Sequence, residues 1–373
     1  MTATQSTAYD TNVYVDRLQR AQGEMERQGI DLLVVGPSDD LIYLIGYPGH
    51  ESERMSVLVL PREGTPHYVV PRLEAPHLAQ QRDLLEVITW EETEQPAAKA
   101  AAAPGAAQAG VVAVSDDLWS VFTLRLQAAL PQARWVEGGQ LLRPLRMIKD
   151  NREIEFLAEA ARLTDETWEE FIRQPISGQT ELQARERLQE AIKARGLHPT
   201  FCIVASGPNA ASPHHMPGER IIGPGDSIVC DWGGTYHNYH SDVTRSAHVG
   251  EPSPEYVRAY EAVLAANQAT LDAMRPGVAC QELDRTARGL LTEAGYGENF
   301  IHRVGHGLGL SVHEEPYLVE GNTLPLAEGM VFSDEPGVYL SGEFGIRIED
   351  TVVVTATGGR RLNHATRVLT VLG

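Results

Sequence analysis

A chain of 373 residues, 42% hydrophobic and 22% charged, has the size of two ordinary domains or one large one and enough apolar matter for a sizeable core. Its formal net charge of −20 argues against nucleic acid or an anionic membrane as partner, since both are polyanions. Three scattered cysteines exclude a disulfide framework or a CxxC zinc site; with no membrane-length apolar run and no apolar signal core at the start, a cytoplasmic protein is expected.

Residues 13–29, VYVDRLQRAQGEMERQG, read as an amphipathic helix ended by Gly29. DLLVVG is a buried strand, PSDD a turn and LIYLIGY a further apolar segment; MSVLVLP and HYVVP are strands. This alternation indicates an α/β N-terminal domain. Residues 97–110, AAKAAAAPGAAQAG, are broken by proline and glycine and read as a short helix and a surface loop. VVAVSDD and RWVEG supply the last strands, and the boundary is expected near 145, giving domains 1–145 and 146–373. In the second domain helices are expected near 152–173, 180–195, 254–275 and 279–294. Strands are expected near 200–206, 226–235, 240–248, 329–335 and 345–355, and their short connections favour antiparallel pairing. The acidic stretch DETWEEF reads as a solvated helix face.

The chemistry concentrates in the second domain. SIVCDWGGTYHNYHSDVTRSAHV reads as two strands around a glycine-containing turn, with Asp231 and Asp242 on facing strands. Two adjacent carboxylates repel, so one takes up a proton or a cation neutralises both. A turn aspartate beside a solvated one would equally account for the pair taken alone. RVGHGLGLSVHEEP sets His306 between glycines, which permit a backbone that exposes the imidazole, and His313 seven residues later. GMVFSDEPGVYL runs an apolar strand into Glu335. GIRIEDTVVV puts Arg347 and Glu349 on alternate residues of one strand, facing the same side, and its apolar continuation implies that Glu349 is at least half buried. A buried glutamate needs a partner. Asp231, Asp242, Glu335 and Glu349 with His306 exceed the needs of one cation and suit two divalent ones. The oxygen-rich set favours Mn²⁺ and leaves room for Co²⁺ or Zn²⁺.

The order Asp, Asp eleven later, GHG, EPG and IRIED resembles the M24 metallopeptidases of the pita-bread fold, and within them the proline-specific branch of Xaa-Pro dipeptidases (prolidases) and Xaa-Pro aminopeptidases. DRLQRAQGEMERQGIDLLVVGPSDDLIYLIGY is similar to the start of the creatinase/prolidase N-terminal domain, and LLRPLRMIKDNREIEFLAEAARLTDE to the junction that follows it. The resemblance implies that α/β domain followed by an α+β pita-bread catalytic domain. It implies Asp231 as a ligand of one metal, His306 of the other, Asp242 and Glu349 as bridges, and Glu335 as ligand and proton shuttle. His214, in SGPNAASPHHMPGER, resembles a substrate-binding histidine, while His215 beside it has no counterpart role. His313 resembles the histidine that steadies the tetrahedral intermediate, and Arg347 the arginine that orders the site. The implied reaction is attack, by water made acidic by the cations, on the carbonyl before proline. Histidine donors stabilise the oxyanion and Glu335 carries the proton to the proline nitrogen.

One position departs from the pattern. Short microbial prolidases carry arginine just after HExP, where it can hold the dipeptide carboxylate, and here Tyr317 stands there. Arg54, in the loop YPGHESERM, is the expected substitute, reaching across a homodimer into the partner's site. The expected function is hydrolysis of Xaa-Pro dipeptides. The alternatives are an Xaa-Pro aminopeptidase acting on longer peptides and an inactive peptide-binding module on the same fold. Arg245 in SDVTRS and the large N-terminal domain argue against a methionine aminopeptidase, and five intact ligands against metal-free creatinase chemistry. Cys230 and Trp232 read as core; His50, His237 and His240 are left between solvent and pocket.

Overall fold

Asp10 accepts the Asn12 amide and starts the first helix, α1 (Thr11–Gln28), which stops where Gly29 turns to a φ of 65° and donates back to Glu26 and Met25. These elements are seen in a computed structural model that describes residues 9–373. The chain divides into two units between Arg146 and Met147. In the first, α1 is followed by β1 (Leu32–Val35), α2 (Asp39–Ile45), β2 (Val57–Pro61), β3 (His67–Pro71), β4 (Glu86–Trp90), α3 (Pro96–Ala101), β5 (Val111–Val114), α4 (Ser120–Ala129), β6 (Arg134–Glu137) and α5 (Gly139–Met147). One six-stranded sheet is ordered β4-β3-β2-β1-β5-β6. Its β1–β2 and β2–β3 pairs are antiparallel, and its β3–β4, β1–β5 and β5–β6 pairs are parallel.

Two sequence expectations fail here for identifiable reasons. The turn read at PSDD gives way to α2, which takes in Asp39, Asp40 and most of the apolar segment LIYLIGY, because Ser38 caps that helix by accepting the Leu41 amide and the two aspartates fill its first turn. The loop after α3 is not a surface loop throughout. Ala103, Ala106 and Ala109 are buried with Val34, Val59 and Phe122, since methyl side chains let a turn lie flat against a sheet.

The second unit opens with α6 (Asn151–Phe171), fixed by a capping box in which Asp150 and Glu153 exchange bonds, and α7 (Glu181–Ala194), which has the same device from Thr180 and Gln183. Then come β7 (His198–Ser206), β8 (Ser227–Tyr236), β9 (Tyr239–His240), β10 (Val243–Val249), α8 (Pro254–Ala273) and α9 (Cys280–Glu293). The chain ends through β11 (Gly305–Gly307), β12 (Glu314–Leu318), β13 (Val331–Asp334), β14 (Gly337–Leu340), β15 (Phe344–Arg347), β16 (Asp350–Thr355), β17 (Gly358–Arg361) and β18 (Thr370–Leu372). One sheet runs β18-β10-β8-β7, with β9 added on β8; another runs β12-β11-β13-β16-β17; β14 and β15 form a hairpin. Trp168 of α6 and Leu188 of α7 pack with Trp232 and Ile228 of the first sheet, the two tryptophans stacking at 5.5 Å. Val263 of α8 and Leu283 of α9 pack with Phe332 and Val352 of the second. A pair of helices thus backs each sheet, and the two apolar cores are separate clusters.

DETWEEF is solvated only in part. Asp165 is buried and accepts from Asn363 Nδ2 and the His364 amide, while Thr167 accepts the Trp232 indole N–H. Cys202, Cys230 and Cys280 are free and buried. Among the described residues no helix is long and apolar enough to cross a membrane.

Candidate metal centre and its cavity

Asp231 lies within β8 opposite Thr244 of β10, and Asp242 immediately precedes β10, so both aspartates belong to the first sheet. The expected strand 345–355 is broken. Arg347 ends β15, Asp350 starts β16, and between them Glu349 makes an isolated bridge to Thr244. Arg347 therefore closes one strand and Glu349 sits in the break before the next, rather than the two alternating on one strand, yet both side chains line the same cavity. Glu335 follows β13 there, and His306 comes from β11.

The glycines beside His306 act by close approach. A Cβ on Gly305 would lie 1.9 Å from the Ser333 carbonyl oxygen, and one on Gly307 2.3 Å from that of Glu315. Neither glycine takes a left-handed torsion. Without side chains there, β12 and β13 close on β11 from both sides.

Three overlapping groups result, each with its ligand atoms within 4.8 Å of one another: Asp231, Asp242 and Glu349; His306, Glu335 and Glu349; and Asp242, His306 and His313. Glu349 belongs to the first two. His306 Nε2 stands 3.3 Å from Glu335 Oε1 and 3.6 Å from Asp242 Oδ2. Burial pushes the imidazole down to about 3, which leaves it neutral and able to ligate. Burial, then the charges of Glu349, Asp231 and Glu335, push the Asp242 carboxyl well up. Burial and the neighbouring carboxylates do the same to Glu349, and burial raises Glu335.

Arg347 orders the cluster. Its Nη2 donates to Asp231 Oδ2 at 2.6 Å, its Nη1 to the Tyr339 hydroxyl at 2.8 Å and its Nε to Thr244 Oγ1 at 2.9 Å. The Thr244 hydroxyl donates onward to Glu349 Oε2 at 2.6 Å. One guanidinium thereby aims two carboxylates. Among the described residues nothing bonds the buried Asp231 Oδ1. A buried carboxylate oxygen without a donor, facing three more carboxyls and a neutral imidazole, is a donor set that fits divalent cations.

Metal removal gives the first test. The unfolded carboxyls titrate near the usual value of about 4, below their buried counterparts, so above that range the unfolded chain holds fewer protons. Stability of the metal-free protein is therefore expected to fall as pH rises from about 5 to about 8, and added Mn²⁺ to raise Tm more at the upper end. Binding should release protons, read by calorimetry in buffers of different ionisation heat. A Tm gain that is independent of pH, without proton release, would contradict this.

The cavity has a volume of about 880 Å³. His214 and His313 both line it. His313 lies with its ring 4.1 Å from that of His306, and burial holds it below its ordinary value. The loop carrying His313 is pinned by Lys149, whose buried ammonium is 2.7 Å from Glu314 Oε1, while Glu314 Oε2 accepts the Ser311 amide. Tyr317 lies on β12 and does not line the cavity; its ring supports Arg303, whose Cζ is 4.2 Å from the ring centroid. Arg303 and His302 do line it, and sequence reasoning named neither. The one signal available was a cation set off from GHG by a single residue, in HRVGHG. His302 Nε2 lies 2.9 Å from the Tyr339 hydroxyl, which joins it to Arg347. Arg54 belongs to the first unit, with its guanidinium tied to Glu53 and Glu92. His240 lies outside the lining, and burial pushes it down to about 4.

Known proteins resemble the chain along almost its whole length. The description "Metallopeptidase family M24" matches residues 155–356, and "Creatinase/Prolidase N-terminal domain" matches residues 17–148. The probable dipeptidase PepE of Mycobacterium bovis is 40% identical over 98% of this chain and 99% of its own. The crystal structure of dipeptidase PepE from Mycobacterium ulcerans superposes with a TM-score of 0.93 at 42% identity, covering 98% of this chain and 99% of the other. That of recombinant prolidase from Thermococcus sibiricus gives 0.91 at 36% identity, covering 96% and 99%.

Proposed function

The chain belongs to the M24 metallopeptidases, with the pita-bread catalytic fold behind a creatinase/prolidase N-terminal domain, and from that premise we propose that it hydrolyses the peptide bond before proline in Xaa-Pro dipeptides. Asp231, Asp242 and Glu349 would hold one divalent cation, and His306, Glu335 and Glu349 the other. Bound there, such cations supply Lewis acidity and a lowered pKa for water. Mn²⁺ is the proposed occupant because the donors are mostly oxygens. A homodimer, which rests on the resemblance, and a cytoplasmic location, which rests on the scattered free cysteines, are part of the proposal.

The protein's own groups then have separable tasks. Glu335, with its carboxyl raised by burial, can hold a proton and pass it to the leaving nitrogen. That nitrogen carries no hydrogen while it is part of an Xaa-Pro bond, so delivery has to come from outside. His313 and His214 face the cavity as donors for the developing oxyanion. Arg347 keeps Asp231 and Glu349 aimed.

The observation that carries the dipeptide reading is Arg303. A dipeptide ends in a carboxylate one residue past the bond that breaks, so its selection needs a cation in the cavity. Arg303 lines the cavity, rests over the Tyr317 ring, and among the described residues pairs with no carboxylate. It takes the part that the sequence suggested for Arg54. Arg303→Ala should raise KM for Ala-Pro about ten- to a hundredfold, the worth of a charge-assisted pair, and leave Ala-Pro-Ala nearly unaffected. An unchanged KM for Ala-Pro would remove Arg303 from the role. The size of the cavity, near the upper end for ligand pockets, favours a second reading as an Xaa-Pro aminopeptidase. Wild-type cleavage of the tripeptide as fast as the dipeptide would select it, and no cleavage of either with any metal would leave the inactive binding module.

A further inference from the structure

A buried carboxylate that the reaction does not use gathers five donors. Glu181, the first residue of α7, is fully buried. Its Oε1 accepts from the Ser206 amide at 2.8 Å, the Ser206 hydroxyl at 2.7 Å and Asn209 Nδ2 at 3.0 Å. Its Oε2 is 2.8 Å from His215 Nε2 and 3.3 Å from the Gly218 amide. A carboxylate only accepts, so His215 carries its hydrogen on Nε2. Burial works to raise the Glu181 carboxyl, but the bonds from Ser206, His215 and Asn209 outweigh it and hold the group below its ordinary range.

All five donors come from one segment, residues 206–218, which runs from the last residue of β7 towards β8. Its backbone is tied to the same helix end, with the Glu181 amide donating to Arg220 O and the Leu182 amide to Gly218 O. From the other side β15 presses on it so closely that a Cβ on Gly345 would lie 1.8 Å from the Ala210 carbonyl oxygen. Within this clamped segment, two adjacent histidines do different things. His215 is bound to Glu181, and His214 lines the cavity.

We propose that Glu181 and His215 are positioning residues: by gripping the segment 206–218 they present the imidazole of His214 to the substrate. His215, which had no role from sequence, becomes the fastener whose neighbour does the binding. The inference rests on the function proposed above as far as its effect on turnover goes; the grip itself does not.

His215→Phe should lower kcat/KM for Ala-Pro about tenfold, the size of one charge-assisted hydrogen bond, and His215→Gln, which keeps an N–H donor, should recover part of it. Mn²⁺ affinity should stay at the wild-type value. In a His214→Ala background the same His215→Phe substitution should change kcat/KM less than about twofold, because both act through one imidazole. A further tenfold loss in that background would show a merely structural role and overturn the proposal. Amide exchange, followed by mass spectrometry, should accelerate about tenfold across 206–218 in His215→Phe and Glu181→Gln, with α8 unchanged. If the wild type cleaves no Xaa-Pro peptide, the proposed function falls, and exchange alone decides this inference: unchanged protection at 206–218 would sink it.

Discussion

Asp242→Asn is expected to abolish peptidase activity, lowering kcat/KM at least about a thousandfold, and at the same time to raise the Tm of the metal-free protein. The two effects have one origin. Asp242 is buried, with Glu349, Asp231 and Glu335 around it, and those charges together with burial push its carboxyl well above the ordinary range. The charge of Arg347 works against that repulsion without overcoming it, and His306 Nε2 stands 3.6 Å from Oδ2. The amide relieves the repulsion and loses the charge that a cation would need. Differential scanning fluorimetry with and without Mn²⁺ separates the two: the metal-free Tm should rise and the Mn²⁺-induced shift should vanish. A variant that melts lower without metal, yet keeps the full shift, would mean that Asp242 is a structural residue rather than a ligand.

Gly305→Ala should be among the most damaging single methyl groups in the second unit. Its Cβ would sit 1.9 Å from the Ser333 carbonyl oxygen, a backbone atom that cannot swing aside. β11 would have to part from β13, carrying His306 away from Glu335. A loss of more than about 3 kcal/mol follows from such overpacking, equivalent to roughly 6–12 °C in Tm for a unit of this size. Gly289→Ala is the control. It lies within α9, a Cβ there would meet nothing within 4 Å, and alanine should stabilise the helix by about 0.5–1 kcal/mol. Equal melting temperatures for Gly305→Ala and the wild type would refute the close-approach argument.

Much of the site was legible because its chemistry is tied to local signals. Carboxylates at the ends of apolar runs announced Asp231 and Glu335, and a glutamate followed by TVVV announced the buried Glu349. What was illegible depends on pairing between distant segments. Nothing in GIRIEDTVVV says that the run changes sheets at Ile348 and Glu349, because the cause lies in the partners: β14 on one side, β13 on the other. LIYLIGY shows the ordinary ambiguity of a short apolar run, resolved by the Ser38 cap rather than by its own pattern. Arg303 was passed over because its meaning comes from Tyr317, a neighbour across the β11–β12 turn region that sequence reasoning had marked only as a missing arginine.

The bridge between Thr244 and Glu349 has a further consequence. Asp231 and Asp242 lie in and beside the sheet backed by α6 and α7, His306 and Glu335 in and beside the one backed by α8 and α9, and Glu349 in the break before β16, bridged to Thr244. The candidate ligands straddle a seam between two half-shells, each with an apolar heart of its own, and the named ties across it are polar: Arg347 to Asp231, Arg245 to Asp350, Thr244 to Glu349. Cations held by both halves would act as rivets, making the cooperativity of this fold a property of its inorganic cargo as well as of its hydrophobic packing.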